Sequence, residues 1–263
     1  MLAGSVEPVS ARSAQLRVGR SALPGVSLAW RETAPAADVD EVPVVALHGM
    51  CSTSATWDRV AGRLAEHGRH TIAVDLRGHG GSSRPGRYAC SAMRDDVLAF
   101  LDDRGLPHVD LLGHSLGGHV AMLVAQHAPH RVRRLVVEDA SPPPASCHDL
   151  AIGTRRQRAV LTGQSLLLLT RMRQFDVRMT RSVLTEVLLT PDPAWWAALG
   201  SITAPTLLVS GGATSHVSTD RQRRVAARLP FGTLERVPEA GHRVHSKHLD
   251  RFCQLVIPAL TQR

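Results

Sequence analysis

A chain of 263 residues with 43% hydrophobic content can bury one large core, and no apolar run reaches the ~18 residues that cross a bilayer. The net charge of +8 comes almost wholly from arginine, Lys247 being the only lysine. Those arginines are dispersed and aromatic residues make up only 3%, which argues against a nucleic-acid-binding surface.

In chain order, residues 1–13 read as a loose tail. Ala14–Gly19 and Val26–Glu32 alternate as two strands joined through Leu23-Pro24-Gly25. Val42–Leu47 is a continuous apolar run, the pattern of a strand covered on both faces. Ser54–His67 carries Trp57, Val60, Ala61 and Leu64 on one helical face, and Thr71–Val74 is the next strand. Ser91–Arg104 reads as a helix with Met93, Val97, Phe100 and Leu101 inward and Asp95, Asp96, Asp102 and Asp103 mostly solvated. A strand at Val109–Leu112 precedes a helix over His119–Ala128, and Arg134–Val137 is another buried strand. Pro142-Pro143-Pro144 then breaks the rhythm, and Ala145–Leu199 shows helical patterns without a convincing strand. Thr206–Val209, a helix over Thr219–Arg228, a strand at Thr233–Val237 and a helix over His248–Leu260 complete the chain. The alternation implies an α/β fold with a mostly parallel, doubly wound sheet.

The stretch Gly113-His114-Ser115-Leu116-Gly117-Gly118 stands between a strand and a helix. In that context Gly-x-Ser-x-Gly is the pattern of a nucleophile elbow, whose small residues let a sharp turn lift the serine hydroxyl clear of the sheet. A plain glycine-rich turn with a capping serine would read the same way in isolation.

Further landmarks stand in order around it: Leu47-His48-Gly49-Met50, Asp75-Leu76-Arg77-Gly78-His79-Gly80-Gly81-Ser82, Pro205 through Gly212, and Ala240-Gly241-His242. With them the chain resembles the α/β-hydrolase superfamily over roughly residues 14–262. The resemblance implies the α/β-hydrolase fold with an inserted helical cap. Its expected divisions are 1–144 and 200–263 for the core and 145–199 for the cap. It makes Ser115 the nucleophile and His242 the base that a weakly acidic hydroxyl needs. His48, His79 and His114 belong to structural signatures, and His245 is close enough to line the site. The oxyanion donors implied are the backbone N–H groups of Met50 and Leu116.

The acid departs from the common pattern. The loop after Thr206–Val209, the usual place, reads Ala213-Thr214-Ser215-His216-Val217-Ser218 and holds no carboxylate. Asp220 behind the helix-capping candidate Ser218 suits the first turn of a helix. Asp139, at the end of the preceding strand in Glu138-Asp139-Ala140-Ser141-Pro142, is the assigned acid, as in some members of the superfamily. Glu138 and Asp220 are the alternatives.

No metal set is apparent, since the spaced pairs His67/His70 and His245/His248 lack clustered acids or cysteines. The glycines at 78–81 lack a P-loop lysine, so no cofactor is expected. Four scattered cysteines (Cys51, Cys90, Cys147, Cys253), and a first stretch without a basic-then-apolar leader pattern, make a cytoplasmic protein with reduced thiols the expectation.

The resemblance therefore implies a serine hydrolase of esters or related acyl compounds working through an acyl-serine. An acyltransferase or carrier-linked thioesterase on the same residues, or a non-catalytic ligand-binding relative, are the rivals. The expected partner is a small-molecule acyl substrate, with no nucleic acid and no membrane. Seven arginines between Ser146 and Ala194 (155, 156, 158, 171, 173, 178, 181) face four acids there. With Leu166–Leu169, Trp195 and Trp196 as an apolar roof, they would suit an anionic substrate or an acyl or peptidyl carrier protein. A solvated helix surface would read the same way.

Overall fold

The computed structural model describes residues 15–35, 40–150 and 174–261. The strands are β1 (Gln15–Leu23), β2 (Val26–Ala34), β3 (Asp40–Leu47), β4 (Arg69–Val74), β5 (Val109–His114), β6 (Val132–Glu138), β7 (Thr206–Ser210) and β8 (Gly232–Arg236). They form one eight-stranded sheet in the order β1-β2-β4-β3-β5-β6-β7-β8. β1 with β2 and β2 with β4 are antiparallel, and the remaining neighbours are parallel. The described helices are α1 (Asp58–Glu66), α2 (Cys90–Asp103), α3 (Leu116–His127), α4 (Val177–Leu184), α5 (Pro193–Ala197), α6 (Thr219–Ala226), α7 (Val244–Lys247) and α8 (Leu249–Thr261).

The central strands are apolar on both sides because both sides are covered. Val45 and Leu47 of β3, Leu111 of β5, Leu135 and Val137 of β6 and Leu208 of β7 join the core cluster that includes α2 and α3. Their neighbours Val44, Ala46, Leu112, Val136, Leu207 and Val209 join the opposite cluster with α1 and α8. Side chains alternate across a strand, so a parallel strand packed by helices on both faces is apolar in successive positions along its covered stretch.

Several elements differ from the expected boundaries for identifiable reasons. β1 runs on to Leu23 because Pro24 and Gly25 (φ 75°) close a two-residue turn with Leu23 opposite Val26. The helix expected from Ser54 opens as a 3₁₀ turn, Ser54–Trp57, and stops before Gly68 (φ 70°), whose N–H returns to Ala65. Asp96 is buried rather than solvated, since Arg77 of the Asp75–Ser82 motif forks onto both its carboxylate oxygens. The short helix α7, just after His242, stands between the last strand and the C-terminal helix, where the sequence pattern shows no helical signal.

Between β6 and β7 the described residues carry α4, a wide helical turn at Thr185–Leu189, and α5. This segment is tied to the core at several points. Segment 174–176 runs antiparallel to the Gly78–Gly80 turn, with Gly80 N–H bonded to the Gln174 carbonyl and Asp176 N–H to the Gly78 carbonyl. Tyr88 donates its hydroxyl to Asp176, Glu186 accepts the Cys90 N–H at the start of α2, and Trp196 Nε1 donates to the Pro143 carbonyl. Trp195 and Trp196 are both buried at the root of the segment. Arg178 pairs with Asp176, while Arg155, Arg156, Arg158, Arg171, Arg173 and Leu166–Leu169 lie outside the described residues.

At the end of the sheet opposite the elbow, Asp110 has no exposed surface and accepts from Arg69 at 2.6 Å and Arg133 at 2.6 Å. Arg69 also holds Asp40 at 2.8 Å and donates to the Val42 and Leu260 carbonyls, joining β3, β4 and the end of α8. Removing one member of such a set strands a buried charge. Asp110→Ala should therefore cost ~3–5 kcal/mol, read as a lowered urea midpoint at unchanged m-value, and Asp110→Asn should cost less.

Candidate active site

The elbow glycines are set by close approach. A Cβ on Gly113 would lie 2.4 Å from the Gly117 carbonyl oxygen, and one on Gly117 would lie 2.2 Å from that of Leu47. Ser115 sits between β5 and α3 at φ 52° and ψ −115°, a conformation that side chains rarely adopt. The turn leaves Ser115 half-buried while its neighbours His114 and Leu116 are buried.

Three side chains from separate strand ends meet there. Ser115 Oγ lies 3.0 Å from His242 Nε2, and His242 Nδ1 lies 2.8 Å from Asp139 Oδ2. A carboxylate accepts, so Nδ1 carries the imidazole proton and Nε2 is free to accept from the serine hydroxyl. Asp139 directly follows β6 at φ 46°, a left-handed conformation that aspartate tolerates better than most residues. The turn aims its carboxylate across to the β7 and β8 loops. There it accepts the Gly211 N–H at 2.9 Å, the Ser215 hydroxyl and the Gln222 amide at 3.3 Å. Burial pushes the Asp139 carboxyl above its ordinary range and these donors pull against that shift. Asp220, by contrast, is exposed on α6 and pairs with Arg223, with Ser218 capping the helix as expected.

Burial also holds His242 well below the ordinary imidazole value of 6.5, aided by His216, His245 and Arg243. The His216 ring lies 4.1 Å from His242, in the loop that lacks the usual acid.

Of the two expected oxyanion donors, Leu116 directly follows the serine in the chain. Leu116 opens α3, and the first N–H of a helix has no carbonyl partner in its own helix. Met50 follows Gly49, where an added Cβ would stand 3.2 Å from Ser115 Cβ. The turn continues through Cys51 at φ 61°, whose N–H donates to His79 Nε2 at 3.3 Å. His79 Nδ1 faces the Arg77 carbonyl, and burial lowers its pKa to about 3, so the ring stays neutral and keeps an acceptor for Cys51. His48 bridges β3 and β4, taking the Leu76 N–H at 3.1 Å and facing the Gly49 carbonyl at 2.7 Å.

Sequence reasoning missed two sets of contacts. Ser215, Gln222 and the Gly211 N–H hold the acid, and only the empty β7 loop hinted that another residue must compensate. His114, Glu138 and His245 form a buried cluster whose donor atoms lie within 4.8 Å of one another. No spacing rule links positions 114, 138 and 245. Glu138 accepts from His245 within the cluster and His114 Nε2 donates to the His242 carbonyl outside it, so these atoms are committed to protein partners.

The sequence profile of the alpha/beta hydrolase fold matches residues 42–165. A relative from Variovorax paradoxus, provisionally named as the carbamate hydrolase RutD, is 30% identical over 227 residues, covering 77% of this chain and 85% of the relative. The chain belongs to the α/β-hydrolase fold family. This hydrolase is also 25% identical over 252 residues to the sn-1-specific diacylglycerol lipase ABHD11 of Danio rerio, spanning 82% of this chain and 78% of that protein. Among solved structures, an alpha/beta hydrolase fold protein from Chitinophaga pinensis superimposes with a TM-score of 0.75 at 21% identity, covering 95% of this chain and 99% of that one. Among the described residues of this α/β hydrolase, no helix is long and apolar enough to cross a membrane.

The elbow contacts generate a direct test. Gly117→Ala should lose ~1–3 kcal/mol or more, because its methyl group meets backbone oxygen rather than a flexible side chain. Gly62→Ala, inside α1 with nothing within 4 Å of the added Cβ, should gain ~0.4–1 kcal/mol in the same urea titration.

Proposed function

We propose that the protein is a serine hydrolase that cleaves an ester or a related acyl bond, a carbamate among them, through an acyl-serine intermediate. The observation that carries this reading is the unbroken chain from Ser115 Oγ to His242 at 3.0 Å and from His242 to Asp139 at 2.8 Å. Relatives named as a lipase and a carbamate hydrolase support the bond class.

In this reading Ser115 Oγ attacks the acyl carbon while its proton passes to His242 Nε2. The carbonyl oxygen becomes an oxyanion held by the N–H groups of Met50 and Leu116. Asp139 keeps the imidazole in the Nδ1–H tautomer and stabilises the imidazolium that forms. His242 then returns the proton to the departing alkoxide or amine, leaving the acyl group on Ser115. Water attacks that ester, gives a proton to His242 and releases the carboxylic acid or carbamic acid. His242 finally restores the Ser115 hydroxyl.

Ser115→Ala should abolish both turnover of a p-nitrophenyl acyl ester and covalent labelling by a fluorophosphonate while the chain stays folded. Full turnover by that variant would remove the nucleophile assignment. Asp139→Asn should lower kcat by ~10³–10⁴, the scale of a triad asparagine in serine proteases. Asp220→Asn alters only an exposed ion pair and should leave kcat nearly unchanged.

The pH profile follows from His242. Its neutral form is the base, so kcat/KM is full above the His242 pKa and falls as pH drops through it. Because burial and His216 hold that pKa down, the acid limb should lie below pH 6.5. His216→Asn removes a neighbour that opposes the imidazolium and should move the limb upward. A limb at or above 6.5 in the wild type would contradict this account.

A further inference from the structure

Glu138 and Asp139 are consecutive acids at the end of β6, and each faces a different histidine of one turn. Asp139 accepts from His242, while Glu138 Oε2 accepts from His245 Nδ1 at 2.7 Å and Oε1 accepts the His245 backbone N–H at 2.9 Å. Neither side chain of this second pair reaches solvent, at 0% exposure for Glu138 and 1% for His245. The far edge of the ring is held as well, with His245 Nε2 2.8 Å from Thr56 Oγ1 and the ring 4.5 Å from that of Trp57.

Glu138 also touches the other half of the site. Its backbone carbonyl accepts the Ser115 N–H at 2.8 Å. His114, the residue before the nucleophile, points Nε2 at the His242 carbonyl at 2.7 Å and lies 5.0 Å ring to ring from His245. One strand end therefore holds the serine through the backbone and the histidine turn through a carboxylate.

Burying a carboxylate is costly, and packing alone would be met as well by apolar side chains of the same volume. What the polar pair adds is direction. Two hydrogen bonds from one residue onto one carboxylate fix both the backbone and the ring of His245, three positions from His242.

We propose that Glu138 and His245 form a positioning pair, which locks the Gly241–His245 turn to β6 so that His242 Nε2 stays within reach of the Ser115 hydroxyl. The proposal rests on the serine-hydrolase reading above. Neither residue touches the reacting atoms, and both act through the placement of His242. An ångström of drift there is enough to slow the chemistry by ~10²-fold.

Three variants test it. His245→Phe keeps the ring beside Trp57 and removes the link to Glu138. His245→Asn retains a side-chain donor near the Nδ1 position. Glu138→Gln keeps an acceptor for the His245 N–H and loses the carboxylate. Each is measured for kcat and KM on a p-nitrophenyl acyl ester, for the rate and final extent of Ser115 labelling by a fluorophosphonate, and for thermal unfolding.

In molecules that label fully, His245→Phe should lose ~10²-fold in kcat with KM within about twofold of wild type, and His245→Asn should recover most of that loss. Glu138→Gln should fall between them. If His245→Phe does not fold, the other two variants decide. The proposal is overturned if folded variants keep kcat within about twofold of wild type. It is equally overturned if activity falls only in step with the extent of labelling, which would make the pair a packing element alone. Failure of the wild type to label at Ser115, or full turnover by Ser115→Ala, would instead overturn the underlying hydrolase reading.

Discussion

A carboxylate with no exposed surface dictates much of what surrounds it. Asp139 is removed from water, so donors must come to it from every neighbouring element: a backbone N–H from the end of β7, a hydroxyl from the loop beyond, an amide from α6 and an imidazole from the turn after β8. These contacts fasten three successive loops at the carboxyl edge of the sheet. Gly211 and Gly241 pack so closely that a Cβ on the first would fall 1.9 Å from the carbonyl oxygen of the second. Holding one buried charge and closing the gap between the β7 and β8 loops are one structural problem with one solution.

Backbone strain gathers at the same edge. Of the four non-glycine residues at positive φ among the described residues, Cys51, Ser115 and Asp139 end or follow β3, β5 and β6 at the site, and Glu239 precedes the His242 turn. Such conformations persist only where the surroundings over-determine them. Here the surroundings are hydrogen bonds: His79 on Cys51 N–H, the Glu138 carbonyl on Ser115 N–H, and the Val209 carbonyl on Asp139 N–H at 2.8 Å.

Much of the fold and the principal side chains could be read from residue order. The apolar runs at Val42–Leu47 and Val109–Leu112, the glycines around Ser115 and the Ala-Gly-His turn each carry local signatures, because each is determined by its nearest neighbours in the chain. The displaced acid was legible only by subtraction, through a loop lacking a carboxylate and a strand end possessing one. Glu138, His245, Ser215 and Gln222 were not legible in their roles. Their partners lie 107, 76 and 83 positions away, and a lone serine or glutamine on a loop or helix has many ordinary explanations. Asp96 failed for the related reason that helical periodicity places it outward, while its position is decided by Arg77 from another element.

The location of the acid on β6 divides labour between two neighbouring loops. Asp139 is anchored at the end of a strand flanked by two parallel partners, β5 and β7. The stretch Ala213–Ser218 then supplies no carboxylate to His242, only the Ser215 hydroxyl to Asp139 and the ring of His216 beside His242. A loop freed from carrying the acid is still pinned at one point, since Ser215 donates its hydroxyl to the Asp139 carboxylate and so ties the two loops together.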